Sequence, residues 1–167
     1  MKISMYTMSV ETFVPALTHL STLLDKGLAH ATAKKFDPSV LVNARLAPDM
    51  FPLSRQIQIA CDAAKNGSAR LAGQEAPRFE DKEATLEELR TRIARTIEYL
   101  KSMAASAFDG SEDRDIKIPV PDRTLEMKGL PYLQTWALPN FYFHVVATYA
   151  LLRHNGVAIG KGDFLGI

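Results

Sequence analysis

The stretch from Leu138 to Asn155 constrains the fold more than any other part of this 167-residue chain. Wound as a helix, it places apolar side chains on every side: Phe141, Phe143, Val145, Val146, Ala147, Tyr149, Ala150, Leu151 and Leu152. A helix without a polar face has to be covered on most sides by other elements. A membrane cannot be that cover. The longest apolar run, Phe141 to Leu152, falls short of the ~20 residues that span a bilayer and contains His144 and Thr148. The rest of the chain must therefore supply helices that wrap it. Asn155-Gly156 closes the segment with a glycine suited to a left-handed cap.

Three other segments have the matching pattern. From Ser9 to Ala33, Phe13, Leu17, Leu20, Leu24, Leu28 and Ala31 recur at steps of three and four, forming one apolar stripe. Pro15 is then expected in the first turns, where its missing donor is harmless. Asp37-Pro38 ends the pattern, and Val40-Leu41-Val42 can hold one helical turn in the connection from Ser39 to Pro48. A second helix is predicted from Pro52 to Leu71, with Leu53, Ile57, Ala60 and Ala64 inward and Arg55, Gln58, Asp62 and Lys65 on the other side. Thr85 followed by Glu88 is a capping box and opens a third helix. Its apolar stripe is Leu86, Leu89, Ile93, Ile97 and Leu100, with Glu87, Arg90, Arg92 and Arg95 facing away.

Between the third and fourth helices the period changes to two. Ile116, Ile118 and Val120, then Leu125 and Met127, alternate with polar residues or proline around a turn at Pro121-Asp122-Arg123. That predicts a small β-hairpin, which must lie against the helices because two strands alone are marginal in water. The fold class is all-α: a four-helix bundle with a hairpin in its third connection. The tail from Val157 to Ile167 is expected to dock on the bundle.

Composition narrows the function. With 20 basic residues against 19 acidic, the net charge of +1 argues against nucleic acid as partner. The single cysteine, Cys61, cannot form an intramolecular disulfide and sits in an apolar run, so a buried inert thiol is expected. That suits a reducing, cytoplasmic setting. The first residues lack signal-peptide architecture, and no membrane association is expected.

His144 is the most informative polar residue. Asn140 and Thr148 lie one turn before and one turn after it, so the three share a face with Leu151, which is expected to point inward. A buried imidazole needs polar partners. Two readings are open: a satisfied core histidine, or a metal ligand or general base at the bottom of a pocket. Arg55, Gln58 and Asp62 share a face of the second helix, either as a solvated stripe or pointing into a polar pocket with His144. His19 and His30 lie ~16 Å apart along their helix and cannot share a metal. His30 and His154 suit their helix ends electrostatically. Gly160-Lys161-Gly162-Asp163 is too short for a phosphate loop.

The run Asn140-Phe-Tyr-Phe-His144, with Leu152-Arg153-His154-Asn155-Gly156-Val157, resembles the last bundle helix of the DinB/YfiT-like family. Ala47-Pro48-Asp49-Met50-Phe51-Pro52, Leu138 to His144 and Gly160 to Gly166 resemble one uncharacterised branch of it, a domain of unknown function. The resemblance spans the chain and implies the DinB-type bundle. It also implies a divalent metal, zinc or nickel, held by three histidines, two of them four apart on the last helix and one on the second. Thiol-transferase members of the family depend on that metal.

Here the pair reads Asn140 and His144, and the second helix has no histidine. His144 and Asp62 are the metal ligands to expect if there are any, and Asn/His/Asp is a weak zinc set. The expected function is therefore a ligand-binding or non-enzymatic homodimer with a degenerate metal site. The alternative is a metal-dependent enzyme, thiol-transferase-like or a hydrolase, built around His144. The homodimer is expected because Tyr142, Val146, Tyr149 and Arg153 form an apolar, aromatic face opposite His144. The hairpin or the tail is the other possible cover.

Overall fold

The computed structural model describes residues 3–167. Helix α1 runs Met5–Lys34, capped by Ser4, whose hydroxyl accepts the amide of Thr7 at 3.1 Å. The helix starts a turn earlier than the expected Ser9, so Pro15 lies in its interior and not in the first turns. The missing donor leaves the carbonyl of Glu11 free on a face where both residues are exposed, and water can serve it there. A short turn of helix, α2 (Ser39–Val42), follows where expected.

Helix α3 (Leu53–Ala72) ends at Gly73, in the left-handed region at φ 67. A side chain at Gly73 would also strike Arg114, which crosses there to donate to the carbonyl of Leu71 at 2.7 Å. Helix α4 (Leu86–Ser102) has both bonds of the capping box. Thr85 Oγ1 accepts from the Glu88 amide, and the Glu88 carboxylate accepts from the Thr85 amide, each at 3.1 Å.

Strands β1 (Asp115–Val120) and β2 (Arg123–Lys128) pair antiparallel, with Ile116 opposite Met127 and Ile118 opposite Leu125. The turn is two residues, Pro121-Asp122; Arg123, expected in the turn, pairs with Val120. Ile116 and Ile118 are buried in the common core, which gives this hairpin the support it needs.

The fourth bundle helix begins at Gly129, well before Leu138. Helix α5 (Gly129–Tyr132) passes through a π turn at Leu133–Ala137 into α6 (Leu138–His154) without a break. Pro139 explains why the sequence conceals this. It lacks the amide that an unbroken α-helix would need, and its ring crowds the preceding turn. A wider π turn just before it accommodates both without ending the helix. At the start of the run, the Ser111 carbonyl comes within 1.8 Å of where a Cβ on Gly129 would sit, so only glycine fits.

The core forms where the four stripes meet. Phe13 of α1 meets Phe141 of α6 edge-to-face at 4.8 Å, and Leu17, Leu24, Leu53, Ile57, Leu89 and Ile93 are fully buried around them. Helix α7 (Lys161–Leu165) docks the tail on α1 through a bond between Lys26 and Asp163. Phe164 lies edge-on to Tyr149 at 5.8 Å. The face of α6 opposite His144 is thus partly covered from within the chain, and it is not buried all round. Phe143 is 60% exposed and Val146 is 49% exposed. Among the described residues, no helix is long and apolar enough to cross a membrane.

Candidate functional site

Helix α3 carries polar side chains on two of its sides, and each side has its own partner helix. Toward α6, His144 is buried, at 7% exposure, with Thr148 and Leu151 fully enclosed on the same stripe. Asn140, one turn earlier, is half-buried. The partner of His144 is Gln56, which the spacing of polar residues on α3 did not single out. It is three residues after Leu53 and four before Ala60, so it falls on the apolar stripe, and a glutamine there was the available signal.

The Gln56–His144 bond fixes the state of the imidazole. Gln56 Nε2 donates to the Phe51 carbonyl at 3.2 Å, so its Oε1 faces His144 Nδ1 at 2.7 Å. An amide oxygen can only accept, so Nδ1 carries the proton and Nε2 holds the lone pair. Burial, and then the nearby Arg55 guanidinium, hold the His144 pKa below its ordinary value of 6.5. The ring is accordingly neutral at physiological pH. The hydroxyl of Thr148 is spent on the His144 carbonyl at 2.9 Å and does not face a pocket.

Toward α4 the polar groups are ionic. Arg92, expected to face solvent, is 1% exposed. Its guanidinium reaches three carboxylates: Asp62 at 3.1 Å, Asp81 at 2.9 Å and Glu83 at 3.0 Å. Three residues after Leu89 and four before Thr96, Arg92 lies on the buried edge of α4, and those carboxylates draw it inward. Lys65 adds a second cation to Asp62 at 3.1 Å and donates to the Pro77 carbonyl at 2.7 Å. Arg55 bonds Asp81 and reaches Gln58 at 3.2 Å, and Gln58 continues to Glu83 at 2.9 Å. Three cations thus meet three carboxylates and tie the connection between α3 and α4 onto the bundle. Gln58 and Lys65 are buried in this network, while Arg55 and Asp62 on the same stripe stay partly open to solvent.

Cys61, beside the network, is fully buried, and burial pushes its thiol up to about 12. It stays protonated and unreactive.

The predicted site residues therefore divide. His144 and Thr148 belong to the α3–α6 side; Arg55, Gln58 and Asp62 belong to the ionic side. Arg55 and Asp62 do not join His144 in one pocket. Asp62 and Asn140 both line a separate small groove between α3 and α6. These residues do not suit a divalent metal. Asp62, the carboxylate expected beside His144, is already held by two cations. Asn140 offers a neutral amide, and the second-helix partner of His144 is the amide of Gln56. Among the described residues, no three His, Cys, Asp or Glu side chains converge as a metal would require.

The chain matches the family model described as "Domain of unknown function (DUF1993)" over residues 5–165. It is also similar to the crystal structure of a DinB family member protein from Shewanella denitrificans. The two are 44% identical with a TM-score of 0.89, over 97% of this chain and 92% of that one. No curated protein matches it. The DinB-like bundle and the match from end to end place this chain in the DUF1993 family, a DinB-like branch of unknown function.

Proposed function

We propose that the protein is a ligand-binding, non-enzymatic homodimer in which the metal position of DinB-like proteins has become part of the scaffold. One observation carries this reading: among the described residues no three His, Cys, Asp or Glu side chains converge, and the two expected ligands are engaged elsewhere through His144 Nδ1 and Asp62 Oδ1. His144 is bound by Gln56, and Asp62 by Arg92 and Lys65. A carboxylate between two cations has its charge already neutralised and offers little to a third. A lone imidazole then binds zinc weakly, since stable sites use four ligands. The single buried cysteine fits a reducing compartment such as the cytoplasm.

Zinc titration followed by calorimetry tests the metal. The expected result is no site of one equivalent that survives a chelator. Stoichiometric zinc that disappears in His144→Ala would replace this reading with the metal-dependent enzyme, His144 Nε2 supplying the ligand or base.

The homodimer rests on Phe143 and Val146, three apart on α6 and both largely exposed. Tyr149 is taken up by Phe164, which moves the contact toward Phe143 and away from the Tyr149–Arg153 end. Two-fold pairing sets this face against its own copy, and a net charge of +1 offers little repulsion. Light scattering at micromolar concentration should give twice the chain mass, and Val146→Glu should halve it. A wild-type protein that is monomeric there would remove the dimer from the proposal.

A further inference from the structure

A groove of about 230 Å³ lies where α6 and the tail helix α7 meet α1, and it shares no residue with either polar side of α3. The directions of the three helices give it two unlike ends. Phe13 meets Phe141 and Gly27 lies against Leu152, so α1 and α6 run parallel, with Tyr142 near the level of Phe13. The tail runs the other way: Asp163 bonds Lys26, and Gly166 lies against His19. Gly166 is in the left-handed region at φ 73, and a Cβ on it would come within 2.2 Å of the His19 imidazole, so glycine lets the tail close there. The tail therefore covers α1 from His19 to Lys26. Glu11 and Pro15, at the other end of the groove, stay exposed.

The covered end is apolar. Leu20, Leu23 and Val145 are buried there, and Phe164 and Leu165 of α7 wall it off. The open end is polar and consists of acceptors. The Glu11 carboxylate pairs with no cation among the described residues. Its backbone carbonyl has lost its helical donor to Pro15, which lines the same end. Tyr142 adds a phenol oxygen, neutral because burial holds its pKa above the ordinary value. A carboxylate and a carbonyl without donors are what a protonated amine satisfies, with one positive charge and up to three N–H groups. An anion would meet Glu11 as a like charge.

We propose that this groove binds a small amphipathic amine, its ammonium on the carboxylate and carbonyl of Glu11 and its apolar tail against Leu20 and Val145. The proposal rests on the ligand-binding reading above and gives it a site and a ligand class. A helical carbonyl points along the axis toward the residue four ahead, so the ammonium sits beside Pro15. From Pro15 to Leu20 is about 7.5 Å along the axis, which a two-carbon chain and one aromatic ring cover. The volume agrees: a cavity of ~150 Å³ holds benzene, and this groove adds room for a short chain and its head group.

The probe is 2-phenylethylamine, titrated by calorimetry into the full-length protein beside 2-phenylethanol, which lacks the charge, and ethylamine, which lacks the ring. The expected result is one saturable site for 2-phenylethylamine. Each analogue should bind at least about tenfold more weakly, as loss of a charge-assisted bond or of a buried ring implies. Glu11→Gln, an exposed change that leaves the core alone, should bring the amine down to the level of the alcohol. Ala16→Leu, which fills the groove between its two ends, should abolish binding. Equal affinity for amine and alcohol, or undiminished binding in Glu11→Gln, would overturn the proposal. Binding that survives Ala16→Leu would overturn this groove while keeping a ligand-binding protein. No binding of any probe would overturn the groove as well, and leaves the metal-free dimer to be judged by zinc content and mass.

Discussion

The two polar sides of α3 bury their groups by opposite means. Toward α4 the solution is charge: Arg92, Lys65 and Arg55 against Asp62, Asp81 and Glu83, cross-linked through Gln58. Toward α6 the solution is neutrality: one imidazole, one amide and a backbone carbonyl in a short chain. An ion network resists most the loss of its buried members, here Arg92 and Lys65, because the charges they leave are solvated poorly on the side that faces the bundle. A neutral hydrogen bond tolerates loss better and can be replaced as a pair by apolar groups at little cost. The carboxylates Asp62, Asp81 and Glu83 are all committed to the α4 side.

The comparison breaks first, if it breaks, at Arg92. Arg92→Met removes one cation and leaves three carboxylates with two, one of them largely buried. The expected loss is about 3–5 kcal/mol of unfolding free energy by urea denaturation. A loss near that of an ordinary surface arginine would mean that water reaches the network and that it is not a buried ionic clasp.

The neutral side should respond more weakly and in a different pattern. His144→Leu leaves Gln56 Oε1 unpaired, and Gln56→Met leaves His144 Nδ1 unpaired; each should cost about 1–3 kcal/mol. The double variant should be more stable than either single one, because no polar group is then stranded. Additive losses in this cycle would show that the two residues do not act as a pair.

The smallest effect expected is on pH dependence. His144 has its pKa below 6.5 in the folded protein, from burial first and Arg55 second. The unfolded chain therefore binds a proton more readily. The contribution is absent above pH 6.5; stability declines as pH falls through 6.5, and the decline levels off only below the folded pKa. Denaturation midpoints at pH 7.5 and 5.5 should differ less in His144→Leu than in the wild type. An unchanged difference would show that the imidazole stays solvated.

Much of the bundle was legible because apolar periodicity and end signals are local. The Thr85–Glu88 box, the stripe of α3 and the alternation around Ile116 and Ile118 each name an element without knowledge of its neighbours. The resemblance of the Asn140–His144 run supplied the family. The same locality explains the misses. Pro15 read as a first-turn residue and Pro139 as a helix start, whereas packing carries helix through both, with a π turn easing the second. Arg92 read as a surface charge because its carboxylates come from another helix and a distant connection.

The sequence by itself determined which residues could be helical and which stripes were apolar. Those are properties of neighbours within a turn or two of the chain. Only the tertiary structure decided which partner each polar side chain found. Asp62 went to Arg92 and not to His144, and His144 to Gln56, because antiparallel packing of α3 on α6 sets their levels and the α3–α4 connection brings Asp81 and Glu83 across. Hydrogen bonds and ion pairs act over a few ångströms, and only the packed bundle fixes distances of that order between residues far apart in the chain.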